Sequence, residues 1–348
     1  QRMDDIGDSL RETILNENVE LLISNKIHPT ALPNGFVPVD IDVTPMDNSK
    51  SQKEGVSRTY KGFDGYAPMM AYIGTEGYAI NFELREGKQH CQNGTVEFLQ
   101  ETIRLCKKLT DQPLLVRVDS GNDSIDNIAV LIDAGCYFII KRNLRRESKD
   151  GWFDMAKQYC KNITTPRDGK TVYVGSDWKV VCSKQFEKEF TLRAGYEITE
   201  RTVDKYGQIL LIPEIEVETW WTNLGATDEE IIQLYHAHGE CEQFHSEIKT
   251  DMDLERLPSG KFATNALVLE LGLIAYNILR MIGQGTIGGR APRQKRNVKR
   301  RRLHTVISNL IMMASHVTTH ARQLVMGLGK SNVWRHLFAN YCESSVAV

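Results

Sequence analysis

Between residues 36 and 140 the apolar residues change period in an order that few folds can accommodate. Val37, Val39, Ile41 and Val43 alternate with Asp40, Asp42 and Thr44, so residues 36–44 read as a strand with one apolar face. Residues 47–65 are polar and contain glycines, the composition of a loop. Residues 66–73 and 78–84 read as two more strands joined by the turn Gly74-Thr75-Glu76-Gly77. Val96, Leu99, Ile103 and Cys106 recur at intervals of three and four, which predicts a helix over 95–109. A strand over 114–119 ends on Asp119, a helix over 125–134 stops at Gly135, and 137–140 is another strand.

Three strands, helix, strand, helix, strand is the order of the ribonuclease-H-like fold, a mixed α/β sheet with helices on its faces. The rest of the 348 residues is organised around it. Residues 1–35 form an N-terminal helical segment, and 36–141 the first part of the core. Short strand-like pieces among polar turns make 142–226 a β-rich insertion. Thr227, followed by three acids, caps a helix that opens the second part of the core, 227–285. Residues 286–348 are read as a basic linker and a C-terminal amphipathic helix over 304–328. Trp220 and Trp221 suit core or edge packing better than stacking on a DNA base.

The run over 262–282 has the length of a membrane span, but Asn265, Glu270, Asn277 and Arg280 within it favour a buried helix and no membrane partner. Seven Cys stand singly with no Cys-x-x-Cys pair, which argues for a reducing, intracellular setting. Residue 1 is Gln rather than Met, which suggests an upstream segment. The net charge of −2 conceals an asymmetry: residues 290–302 carry eight Lys and Arg and no acid. Arg293, Lys295, Arg296, Lys299, Arg300 and Arg301 in this stretch are candidate polyanion contacts. A solvated linker, an RNA contact or a localisation signal would have the same composition.

Asp42 and Asp119 would lie on neighbouring strands, where rigid backbone fixes the separation of two oxygen ligands for a hard cation. A two-metal site usually needs a third carboxylate from elsewhere. Tyr235, His238, Glu242 and Lys249 are offset by 3, 7 and 14 residues. At about 100° per residue they share one helical face, which excludes Glu240 and Glu247 and singles out Glu242.

The spacing Tyr235-x2-His238-x3-Glu242-x6-Lys249 resembles the Tyr-Arg-Glu-Lys signature of DDE transposases of bacterial insertion sequences, with His238 where that family has Arg. Residues 40–44, 117–121 and 251–267 resemble it as well. Asp40 shares the strand face of Asp42, and the Asp-x-Thr pattern of the family selects Asp42. The resemblance implies an enzyme of the bacterial cytoplasm that cleaves transposon ends and transfers the strand into target DNA. Asp42, Asp119 and Glu242 would hold two Mg²⁺, with Mn²⁺ able to substitute, for in-line attack on phosphodiesters. Lys249 would meet a phosphate, and Tyr235 and His238 would position the same strand. Double-stranded DNA bearing terminal inverted repeats, target DNA and a second copy of the chain are the implied partners. A domesticated transposase that binds DNA without cutting it is the alternative. Asp40-Ile41-Asp42-Val43-Thr44 also fits a haloacid-dehalogenase-like phosphatase with an Asp nucleophile.

Overall fold

The alternation in residues 37–43 sets the middle of the sheet. A computed structural model describes residues 2–287 and 298–346. Helix α1 (Arg2–Ser24) precedes strand β1 (Val37–Val43). Strands β2 (Met46–Asp47), β3 (Ser57–Arg58) and β4 (Asp64–Tyr66) make a small separate sheet inside the stretch expected to be loop. Next come β5 (Met69–Ile73), β6 (Tyr78–Glu83), α2 (Thr95–Leu109), β7 (Leu114–Val118), α3 (Ile125–Asp133) and β8 (Tyr137–Lys141), in the expected order. Helix α4 (Lys149–Tyr159) leads into β9 (Asn162–Arg167), β10 (Lys170–Ser183), β11 (Lys188–Val203) and β12 (Ile209–Thr222). Helices α5 (Asp228–His236), α6 (Cys241–Ser246), α7 (Phe262–Gly285) and α8 (Leu303–Val306) follow, then β13 (Ser315–His320), β14 (Gln323–Leu328) and α9 (Arg335–Val346).

One nine-stranded sheet runs β6-β5-β1-β7-β8-β12-β11-β10-β9. Strands β1, β7 and β8 are parallel, and β5 and β12 flank them antiparallel. This is the mixed ribonuclease-H-like sheet that the element order predicts. After the small β2–β4 sheet, β5 pairs antiparallel with β1 and β6 with β5, two further strands on that edge of the sheet that the dehalogenase-like alternative does not predict. Val39, Ile41, Val116 and Val118 lie in the main core, while Leu115, Ile139 and Trp220 pack with Ile231 and Ile232 of α5 in a second one. Both faces of the central strands are therefore covered.

The insertion is not a separate sheet. Residues Trp220, Trp221 and Thr222 of β12 pair with Lys141, Ile140 and Ile139 of β8, extending the same sheet outward. Trp220 and Trp221 are buried there. The helix expected over 304–328 is replaced by α8, one π-helical turn at Ile307–Ile311 and a β13–β14 hairpin. Its turn residues Ala321 and Arg322 both have positive φ, 47° and 65°. β-branched Val317, Thr318, Thr319 and Val325 favour the extended form once the apolar spacing of Leu303, Val306 and Leu310 has ended.

Helix α7 is long and apolar enough to cross a membrane by length and composition, yet it packs on α1 and β6. Its polar residues are bonded inside the protein. Asn277 reaches Asn18 at 2.8 Å and the Ala79 carbonyl at 2.7 Å, and buried Arg280 pairs with buried Glu247.

The β5–β6 turn presses on the helix that carries Glu242. Gly77 has φ 71°, and a Cβ there would stand 2.2 Å from Phe244 of α6. Gly77→Ala combines a left-handed backbone with overpacking, so it should destabilise the fold by about 2 kcal/mol or more. An unchanged urea midpoint would contradict this packing.

Candidate active site

Parallel pairing of β1 with β7 places Ile41 beside Val118, so the next residues outward bring Asp42 and Asp119 together at one end of the sheet. Asp42 Oδ1 accepts the Val43 amide at 2.7 Å, and Asp119 Oδ1 accepts from Asn122 Nδ2 at 3.0 Å. Burial, and then the negative charge of Asp119, push the Asp42 carboxyl up to about 7.

The third carboxylate comes from a segmented helix. A capping box between Thr227 and Glu230 starts α5. A 3₁₀ turn (Ala237–Glu240), α6 and a π-helical turn (Glu247–Asp251) continue it. Despite these changes of pitch, Tyr235, His238, Glu242 and Lys249 all line one cavity of about 770 Å³, which Asp42 and Asp119 also line. The three carboxylates share the cavity without gathering tightly. Among the described residues, the set whose ligand atoms all lie within 4.8 Å of one another is Glu197, Glu218 and His236. There Lys141 already neutralises Glu218.

Sequence reasoning missed the network beneath the cavity. Arg117 Nε and Nη2 donate to the two oxygens of Asp40, each at 2.7 Å, and His238 Nδ1 lies 2.8 Å from Asp40 Oδ1. Arg117 Nη1 also donates to the Leu234 carbonyl near the end of α5 at 2.8 Å. Burial opposes the charge on Asp40, yet Arg117 and His238 hold its carboxyl below the usual range. Burial likewise opposes charge on His238, but the bond to Asp40 raises it. Asp40 is thus spent on structure, and His238, expected to meet DNA, is buried with Nδ1 directed at Asp40. The alternation of Asp40 with Asp42 and of Arg117 with Asp119 was the available signal. Its meaning depended on knowing that β1 and β7 are parallel neighbours.

His245, one turn beyond Glu242, is a second residue that spacing alone did not find. Its Nδ1 lies 3.7 Å from Asp42 Oδ2 and its Nε2 lies 3.5 Å from Cys241 Sγ. Burial, then the charges of His238 and Lys249, push its imidazole down to about 3, so it is neutral. Lys249 donates to the Pro45 carbonyl at 2.7 Å.

The basic stretch divides. Arg293, Lys295 and Arg296 lie outside the described residues. Lys299 is exposed. Arg300 bonds Glu240 at 3.0 Å and Gln243 at 2.7 Å, flanking the Glu242 turn. Arg301 is buried, with Nε and Nη2 on Thr286 at 2.9 and 2.7 Å. That position closes the end of α7 and removes Arg301 from the surface, against the expectation of a polyanion contact.

No curated protein matches the chain. Among solved structures, a piggyBac transposase synaptic complex with hairpin DNA is similar at 10% identity and a TM-score of 0.40. The alignment covers 91% of this chain and 55% of that one, so the chain spans about half the length of that transposase. The family model "Transposase DDE domain group 1" matches residues 7–345. With that match running through nearly the whole sequence, the chain belongs to the group 1 DDE transposase family.

Proposed function

We propose that the chain is a transposase that cleaves transposon ends and joins them to target DNA by in-line attack on phosphodiesters, with Asp42, Asp119 and Glu242 as its catalytic carboxylates. The observation that carries this reading is that Asp42 and Asp119, at one end of two parallel neighbouring strands, line a single cavity with Glu242. Two acids fixed side by side at strand ends repel one another unless a proton or cation lies between them. Carboxylate oxygens are donors that suit Mg²⁺ and Mn²⁺, so Asp42, Asp119 and Glu242 would hold such ions. When bound, these ions supply Lewis-acid stabilisation of the phosphodiester and lower the pKa of the attacking hydroxyl.

The protein's own groups do the rest. Strand ends hold Asp42 and Asp119 rigidly, and the helix brings Glu242 to the same cavity. Lys249 offers a positive charge to a phosphate at the cavity wall, with Tyr235 beside the same strand. His238 acts through Asp40, holding the helix to the sheet. Double-stranded DNA is the partner, and engaging two transposon ends calls for two copies of the chain.

Nicking of supercoiled plasmid tests the proposal. It should require Mg²⁺ or Mn²⁺ and be lost in Glu242→Gln. DNA binding without nicking by the unsubstituted chain in either ion would make it a non-cutting DNA-binding protein instead.

Proton competition gives a separate expectation. As pH falls through about 7, a proton takes the place of the cation at Asp42, so Mg²⁺ binding measured by calorimetry should be weaker at pH 6 than at pH 8. The folded value lies above the ordinary one, so the contribution of Asp42 to metal-free stability is greatest in acid and is lost as pH rises through about 7. Asp42→Asn removes that loss and should raise the metal-free melting temperature at pH 8. Affinity independent of pH over this range would remove Asp42 from the metal site.

A further inference from the structure

We propose that His245 is a nitrogen ligand to the cation held at Asp42, which makes this site favour transition-metal ions such as Mn²⁺ over Mg²⁺. The inference rests on the reading of Asp42 as a metal ligand.

Three observations carry it. First, His245 lines the carboxylate cavity although it is almost wholly buried, so its exposed edge faces that cavity. Second, Nδ1 lies 3.7 Å from Asp42 Oδ2, too far for a hydrogen bond. Two neighbouring donors each about 2.1 Å from an octahedral ion stand roughly 3 Å apart, so a cation shared by Nδ1 and Oδ2 needs the pair to close by only about 0.7 Å. Third, the opposite ring nitrogen is engaged: Nε2 lies 3.5 Å from Cys241 Sγ, one turn back on the same helix. With the proton on Nε2 and directed at that sulfur, Nδ1 keeps its lone pair toward Asp42. Metal-binding imidazoles are oriented in this way, one nitrogen on the ion and the other N–H on a fixed acceptor. The ring itself is fixed, packed against Tyr72 at 5.6 Å between centroids.

Chemistry sets the selectivity. Carboxylates alone suit Mg²⁺ and Mn²⁺, whereas imidazole adds little for Mg²⁺ and favours later first-row ions. One nitrogen among oxygens would therefore tilt the site without excluding magnesium.

Electron paramagnetic resonance of Mn²⁺ bound to the full chain decides the matter without measuring activity. With histidine labelled in ¹⁵N, the bound Mn²⁺ should show a directly coordinated nitrogen in its hyperfine spectrum. The signal should vanish in His245→Gln and persist in His236→Gln, whose ring lines the same cavity. His245→Gln should also weaken Mn²⁺ binding by about tenfold or more while changing Mg²⁺ binding little. Mn²⁺ bound to the unsubstituted chain, dependent on Asp42 and without nitrogen coupling, would overturn the role of His245 and leave the carboxylate site standing. This measurement does not depend on the variant folding. A failure of Mn²⁺ to bind, or binding insensitive to Asp42→Asn, would overturn the carboxylate reading and this inference with it.

Discussion

Glutamine in place of Glu242 is expected to lower metal-dependent plasmid nicking by about a thousandfold or more, because removal of a group central to catalysis generally has effects of this size. The fold should hardly notice. Glu242 is exposed, and among the described residues it makes no hydrogen bond or ion pair. Exposed substitutions of this kind shift stability by about 0.5 kcal/mol or less, which is roughly 1 °C or less in a chain of this size. Asp42→Asn should abolish nicking as completely while raising metal-free stability, since it removes a buried charge and relieves its repulsion with Asp119. One lost activity with an unchanged fold and another with a stabilised fold cannot both come from general damage. Nicking by Glu242→Gln at the parent rate would end the catalytic assignment.

What could be read in the sequence follows from how each element is buried. Helix α2 is amphipathic along its whole length, and its expected bounds coincide with the observed Thr95–Leu109. Strands β1 and β7 are rich in buried apolar residues, so their positions, and with them the placing of Asp42 and Asp119 near one end of both strands, were legible. The long strands β10, β11 and β12 are half exposed, so polar residues interrupt their apolar alternation and they read as short pieces. Strands of two or three residues such as β2, β3 and β4 carry no periodicity at all. The internal partners of His238 and Arg301 were hidden in the sequence for one reason. A polar residue in a helix or a charge run looks solvated until its distant partner is known, and those partners are Asp40, 198 residues away, and Thr286.

Arg117→Ala should destabilise the fold by about 3–5 kcal/mol, the usual effect of removing one partner of a buried ion pair. Arg117 and Asp40 have side chains only 3% and 5% exposed, so almost no water can replace the lost guanidinium. The substitution leaves the Asp40 charge with His238 alone and frees the Leu234 carbonyl near the end of α5. Arg117→Lys should recover little, because an ammonium cannot bond both Asp40 oxygens and the carbonyl in one plane. Replacing Asp40, Arg117 and His238 together by Leu, Met and Leu should restore much of the stability, since apolar packing often equals a buried ionic cluster. The two roles of the cluster then separate. Stability depends on filling the space between sheet and helix, while the position of Glu242 depends on directional bonds from β1 and β7 to residues 234 and 238. The apolar triple variant should therefore fold with nicking still well below the parent rate. Full nicking in that variant would show that packing alone sets the helix in place.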